Sequence, residues 1–373
     1  MLMQHIKITR LIFAGCVSVF LPLSAQKHTT VPMDESHWTI TSEDYRFETY
    51  LGVKSIFLPT GLTELNDVVF HNGVFEFEIA FPEGRGFPGV FFRIQDDNNA
   101  EELYIRTHQS GNPDANQYTP SFNRTAGWQL YHGDGYGSPV DYKYNAWNHV
   151  KLVISGTVGE VFINDMEHPL FQIYELKHSD KQGPIALKGN ANSHFANFSY
   201  TLTDRPTLKL PIKALPKMGE DIVSNYWISS VIEDTTIEGK TWLKAKEIPV
   251  LIWQEPTVEH TGIINLAKNL ARSDGHNTSL VKVSITSDSA QIKRLDFGYS
   301  DEAQTYVNGK LVYGGNNSFR SRDYRYLGTI GFFDSLYLDL KEGENEILFA
   351  IKEGFGGWGM KAKIDDQSGI HFK

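Results

Sequence analysis

Residues 73–81 read Gly73-Val74-Phe75-Glu76-Phe77-Glu78-Ile79-Ala80-Phe81, and their order decides the fold class. Phe75, Phe77, Ile79 and Phe81 occupy every second position, and Glu76 and Glu78 stand between them. Side chains alternate across a strand with period two, so this segment as a strand has one apolar and one charged face. As a helix it would spread both kinds around its circumference.

The same alternation recurs on both sides. Val90, Phe92 and Ile94 alternate with Phe91, Arg93 and Gln95; Leu103, Ile105 and Thr107 alternate with Tyr104, Arg106 and His108. Val150, Leu152 and Ile154 form another inward set, as do Ala196, Phe198, Tyr200 and Leu202. Turn residues separate the runs at His71-Asn72-Gly73, Asp96 to Asn99 and Asn164-Asp165. Antiparallel sheets with one buried face produce this pattern, so residues 36–204 are expected to form a β-sandwich of jelly-roll type. Residues 205–218, RPTLKLPIKALPKM, carry Pro206, Pro211 and Pro216 and read as an extended linker. β patterning resumes over 219–373. Asn308-Gly309 between Tyr306-Val307 and Lys310-Leu311-Val312 is a two-residue hairpin signal. A second hairpin is expected where Leu336, Leu338 and Leu340 precede, and Ile347, Phe349 and Ile351 follow, Lys341 to Glu346. One short helix is expected near 262–272. The predicted fold is all-β: two antiparallel β-sandwich domains joined by a Pro-rich linker.

Composition agrees with that reading. The chain has 373 residues with 23 Phe, 17 Tyr, 7 Trp and 32 Gly, a mix suited to pleated, turn-rich structure. Its 35 basic against 45 acidic residues give a formal net charge of −10, which opposes binding of a polyanion such as nucleic acid. Residues 1–25 read as a signal peptide. Lys7 and Arg10 form the charged start, Leu11 to Phe20 the apolar core, and Leu23-Ser24-Ala25 the small-residue cleavage site. Cleavage before Gln26 would send the chain to the periplasm, the cell surface or the medium. The rival is a lipid anchor at Cys16, the only cysteine. With Cys16 removed the mature chain has no thiol, which excludes disulfides, cysteine nucleophiles and thiolate metal sites.

Asn72-Gly73-Val74-Phe75-Glu76-Phe77-Glu78-Ile79, Gly89 to Ile94, Trp147-Asn148-His149-Val150-Lys151 and Val161 to Asp165 together resemble the laminin-G-like, concanavalin-A-type lectin and glucanase jelly roll. This sandwich is also similar to the 3-keto-disaccharide hydrolase group. Leu295 to Asp301, Val307-Asn308-Gly309, Leu340 to Asn345 and Gly356-Gly357-Trp358-Gly359 resemble a galactose-binding-like sandwich. Both resemblances imply carbohydrate partners and an exported role. Neither implies an activity, since sandwiches host many functions.

Several candidate site residues follow. Glu76 and Glu78 share a strand face about 7 Å apart. The glucanase resemblance would make them catalytic carboxylates, but its third acidic position here is Ala80, and a solvated face is the alternative. Arg93, Gln95, Tyr104, Arg106 and His108 lie opposite the apolar positions, where they either meet sugar hydroxyls or decorate a wet sheet. Trp128, Tyr131, His132 and Tyr136, in or beside a Gly-rich loop, would rim that site or anchor the loop. Asp96 and Asp97, with Asn98, Asn99, Glu101 and Glu102, offer oxygen ligands for Ca²⁺ without the spacing of a calcium loop; an acidic turn is the alternative. No other cofactor is expected. In the second unit, Tyr299, Asp301, Arg320, Arg322, Asp323, Tyr324 and Trp358 would line a sugar site by resemblance; the alternatives are that Asp301 braces its own turn and that the second unit packs on the first and binds nothing. Gly84 to Gly89 and Gly354 to Gly359 fit G-x-G-x-x-G but do not open helices, so neither reads as a dinucleotide site. The function expected is recognition of a poly- or oligosaccharide by a jelly-roll sheet face. The alternatives are a glycan-cleaving enzyme and an adhesive surface protein.

Overall fold

The computed structural model describes residues 27–248, 251–322 and 327–373. The proposed signal peptide, its Cys16 alternative, Asp323 and Tyr324 lie outside the described residues. Those residues form an all-β chain of antiparallel sheets, as the alternation predicts. Among them no helix is long and apolar enough to cross a membrane.

Two sheets of eight and seven strands form the first sandwich. Strand Gly73–Ala80 is central in the larger sheet, between Asn148–Ser155 and Ser193–Leu202. The smaller sheet carries Gly89–Asp96, Asn99–Ile105 and Asn116–Phe122 as consecutive neighbours, with Ala186–Gly189 beside Gly89–Asp96. Phe75, Phe77 and Ile79 from one sheet meet Val90, Phe92, Leu103 and Ile105 from the other in a single core. Burying each such side chain contributes roughly 1.5–3 kcal/mol, which fixes the register of both sheets.

A seven-stranded and a four-stranded sheet form the second sandwich. Asp301–Val307 and Lys310–Asn317 pair across Asn308-Gly309, whose φ values of 52° and 95° are the positive ones the turn requires. The other expected hairpin does not form. Asp334–Leu340 pairs with Gln291–Tyr299 in the small sheet, whereas Gly343–Lys352 pairs with Thr278–Ser287 and Asp301–Val307 in the large one. The chain crosses between layers here, because Leu338, Leu340, Ile347, Phe349 and Ile351 all face one core from opposite sides. The helix expected near 262–272 is a single 3-10 turn, Leu266–Lys268, started by the Asn265 side chain accepting from the Ala267 N–H.

Residues 203–226 hold no strand. The backbone N–H groups of Lys209 and Leu210 donate to the buried Glu160 carboxylate at 2.8 and 2.6 Å, so this stretch runs along the first sandwich.

The two sandwiches are locked together by residues 122–132. Phe122 enters the second core, and Leu130 and Tyr131 pack with Ile263 and Ile330. The Gln129 N–H donates to Gly356 O at 2.9 Å, and the Ile330 N–H donates to Gln129 O at 3.0 Å. A buried polar cluster seals the contact. Glu259 accepts from the Tyr131 hydroxyl at 2.6 Å and from the Lys177 and Lys268 ammonium groups at 2.7 Å each.

Candidate functional site

The locked arrangement leaves a cleft of about 340 Å³ between the smaller sheet of the first sandwich and the loops of the second. Glu102, Tyr104 and Arg106 form its floor, with Thr119 and Lys188 from flanking strands. They face the cleft because Leu103 and Ile105 face the core, which is the alternation read from the sequence. Phe87 and Trp128 form walls, and Phe319, Arg320, Leu327 and Phe355 close it from the second sandwich.

The floor is pre-organised. Gln117 Oε1 accepts from the Tyr104 hydroxyl at 2.9 Å and also from Arg106 Nη2. Arg106 Nη1 donates to Asp114 O at 2.8 Å, and its guanidinium lies 4.8 Å over the Tyr104 ring. Lys188 Nζ pairs with Glu102 at 2.6 Å. Burial holds the Tyr104 phenol well above its ordinary range, so it is a neutral hydroxyl. His108 is pushed down by burial, then by the Arg85 and Arg106 charges, and is neutral at pH 7. Its ring stands edge-on to Phe87 at 5.4 Å, and its Nδ1 is buried without a hydrogen-bond partner.

The walls are aromatic. Trp128 meets Phe319 at 6.1 Å and Phe355 at 5.7 Å between ring centroids. Phe355 is 64% exposed. It is held there by Asp301, whose Oδ2 accepts from the backbone N–H groups of Gly354 and Phe355. Gly356 has φ 113°, and a Cβ there would lie 2.5 Å from Trp128 Cζ2, so this glycine makes room for the indole.

Of the expected site residues, the fold brings Tyr104, Arg106, His108, Trp128 and Arg320 to this cleft, together with Glu102, which was a candidate Ca²⁺ ligand. The others are placed elsewhere. Arg93 is a correction: it is fully buried and takes no part in the wet face. The pairing slips between Phe92 and Asp96, and Arg93 adopts φ 49°, which turns its side chain inward. There it donates to His71 O, Ser179 O, Gly156 O and Asn72 Oδ1. Gln95, beyond the slip, donates its amide to Arg93 O and Gln182 O. Tyr131 and Trp358 are 0% exposed; the first serves the Glu259 cluster, the second donates its indole N–H to Ile351 O within the second core. Tyr299 is buried with its hydroxyl 2.7 Å from that of Tyr313, and Arg322 is closed by Asp334 at 2.5 Å.

Glu76 and Glu78 stand on the larger sheet, across the sandwich from the cleft. Glu76 pairs with His149 at 2.9 Å, which holds its carboxyl below the usual range, and Glu78 accepts from Asn197 at 2.6 Å. Asp96 accepts from the Asn98 N–H at 2.7 Å and the Asn99 amide at 2.8 Å, so it braces its own turn, while Asp97 is an exposed neighbour. Among the described residues no three His, Cys, Asp or Glu side chains gather as a metal site would need.

Sequence reasoning missed Phe87, Lys188, Phe319 and Phe355. Phe87 and Phe355 sit in the two glycine-rich stretches set aside as non-nucleotide loops. Glycine flanks do not separate the displayed ring from the buried one, since Trp358 between Gly357 and Gly359 is fully buried while Phe355 between Gly354 and Gly356 is exposed.

The fold and the site define an all-β protein of two antiparallel sandwiches with an aromatic, cation-bearing cleft at their junction. No protein-family model and no curated protein sequence matches the chain. Among solved structures it is similar to the carbohydrate-binding module CBM66 from Bacillus subtilis: 14% identity, 44% of this chain, 94% of that one, TM-score 0.34. It is similar to the beta-glucanase of Bacillus licheniformis at 9% identity, 48% and 99% coverage and TM-score 0.34. It is also similar to domain 4 of AbnA, a GH43 extracellular arabinanase from Geobacillus stearothermophilus, in complex with arabinotriose, at 16% identity, 48% and 84% coverage and TM-score 0.29. At these scores the likeness carries no argument about ligand or chemistry.

Proposed function

We propose that the chain is an exported carbohydrate-binding protein that holds an oligosaccharide, free or within a longer polymer, in the cleft between its sandwiches. The observation that carries this reading is that one cleft is lined both by aromatic side chains, Trp128, Phe319 and Phe355, and by the polar groups of its floor, Glu102, Arg106 and Lys188. A pyranose has the matching anatomy, with an apolar C–H face that lies on rings and a rim of hydroxyls that need both donors and acceptors. The cleft volume falls within the range of small-ligand pockets, about 300–1,000 Å³. Export rests on the pattern of residues 1–25.

Binding is favoured over cleavage. Hydrolysis with retention needs two carboxyl groups about 5–5.5 Å apart across the scissile bond. The cleft has Glu102, already closed by Lys188, and Asp114 on a neighbouring loop; Glu76 and Glu78 are on the other sheet.

A glycan array probed with the full chain and with Phe355→Ala tests this. Phe355 is an exposed ring, so its removal leaves the cores untouched. Signal on defined oligosaccharides that falls at least tenfold in the variant is expected. A blank array, or one on which the variant binds as well as the parent, overturns the proposal, and the blank array favours the adhesive reading.

A further inference from the structure

The cleft carries an excess of positive charge in a chain that is net negative. Arg85, Arg106, Lys188 and Arg320 line it, against the two carboxylates Glu102 and Asp114. Two of these cations are already committed: Lys188 to Glu102, and both Nη groups of Arg106 to Asp114 O, Tyr104 and Gln117. Arg85 and Arg320 are different. Among the described residues neither has a carboxylate partner. Each lies beside a phenylalanine of the cleft, Arg85 5.3 Å over Phe87 and Arg320 4.9 Å over Phe319. Arg320 does so at φ 64°, a conformation that an arginine adopts at a cost. One cation comes from each sandwich, Arg85 from the segment before Gly89–Asp96 and Arg320 from the segment after Lys310–Asn317, and both line the same cleft.

We infer that the saccharide this cleft takes is an acidic one, whose carboxylate or sulfate groups are held by the Arg85 and Arg320 guanidiniums while its ring lies against the adjoining aromatic side chains. The inference rests on the saccharide reading above and adds the ligand class. Planar guanidinium forks match carboxylate and sulfate oxygens in pairs, and charge-assisted bonds are about twice as strong as neutral ones. A guanidinium stacked on a ring keeps its N–H edge available for the ligand. The net charge of −10 opposes association with a long polyanion, but charges beyond the Debye length of about 8 Å at physiological salt are largely screened, so a short acidic oligosaccharide meets chiefly the cations that line the cleft.

The test is titration calorimetry of the full chain at 50 and 500 mM salt. The ligands are oligogalacturonate, which carries carboxylates, and chondroitin sulfate oligosaccharides, which add sulfate. Neutral controls are the hexaoses of cellulose, xylan and starch. Parent, Arg85→Gln, Arg320→Gln and Phe355→Ala are compared. An acidic oligosaccharide is expected to bind at least tenfold more tightly than the neutral ones. Each arginine variant should weaken it at least tenfold, and its salt dependence should shrink in both. The better of the two acidic ligands identifies the anionic group. Neutral oligosaccharides that bind as well as acidic ones, with loss in Phe355→Ala, would overturn the acidic class and leave the saccharide reading standing. So would acidic binding indifferent to both arginine variants. No binding of any of these ligands would overturn both readings.

Discussion

Replacing Glu259 by Gln should loosen the two sandwiches from each other, although Glu259 is not in the cleft. Its side chain is 5% exposed and accepts from Tyr131, Lys177 and Lys268. Gln retains the volume and one acceptor oxygen but removes the charge. Lys268, 20% exposed, can recover water. Lys177 cannot: its side chain is 1% exposed, and what remains to it is Glu175, 2.6 Å away and partly solvated, with the Tyr131 and Tyr136 rings at 5.1 and 6.0 Å. Removing one partner of a buried pair costs about 3–5 kcal/mol because the other charge is stranded. The surviving Glu175 contact places this case near the lower figure, or a fall in melting temperature of roughly 6–12 °C. Lys177→Met should rescue the variant, since the stranded ammonium is then gone. In a double-mutant cycle Lys177→Met with Glu259→Gln should show a coupling of at least ~1.5 kcal/mol. Scanning calorimetry is the assay, because two sandwiches that have lost their lock should melt in two separate transitions where the parent shows one. Oligosaccharide binding measured well below the melting range should weaken as well, as Phe319 and Phe355 are then no longer held over the floor. A melting temperature within about 2 °C of the parent would refute the argument, as would additive effects in the cycle.

Three further outcomes are expected. Gly356→Ala, whose Cβ would lie 2.5 Å from Trp128, should displace the indole, cost about 1–3 kcal/mol and weaken oligosaccharide binding, read by melting and titration. Arg93→Ala should cost at least ~3 kcal/mol in denaturant unfolding, yet leave the binding constant of the folded fraction unchanged, since its donors are spent inside the first sandwich. Burial, with Asp301 beside it, raises the Glu353 carboxyl well above the usual carboxylate range. A folded-state value above the unfolded one means that this group favours folding at low pH and loses that contribution as pH rises through neutrality. Glu353→Gln should therefore raise the melting temperature at pH 8 and change it little at pH 5. Glu101, pushed up to about 7 by burial, acts in the same sense; His178, pulled down to about 4, opposes it below pH 6.5. For that reason the parent-minus-variant difference is the quantity to measure.

The cleft floor was legible in the sequence wherever strict alternation persisted. Tyr104 faces the cleft because its strand neighbours Leu103 and Ile105 are drawn to the core; the strand ends at Ile105, and His108 reaches the cleft from the 3-10 turn Thr107–Gln109, which the alternation does not mark. Arg93 was misplaced because one slip of pairing reverses the face of a side chain, and no local signal in Phe92-Arg93-Ile94 marks the slip. Leu336 to Leu340 and Ile347 to Ile351 looked like a hairpin because two strands that face one core carry the same alternation whether they share a sheet or oppose each other.

By itself the sequence determined that this chain is built of antiparallel β layers, since period-two burial depends only on neighbours along the strand. The same alternation sets Tyr104 opposite Leu103 and Ile105, but it does not show that Glu101 is buried against Tyr118. That the candidate cleft lies at a junction follows from the docking of the two sandwiches. Phe87, Lys188, Phe319, Arg320 and Phe355 come from loops and strands far apart in the chain, brought together by the packing of residues 122–132 and the Glu259 cluster. Contacts at that range depend on how whole sheets dock, and no periodicity within a segment encodes them.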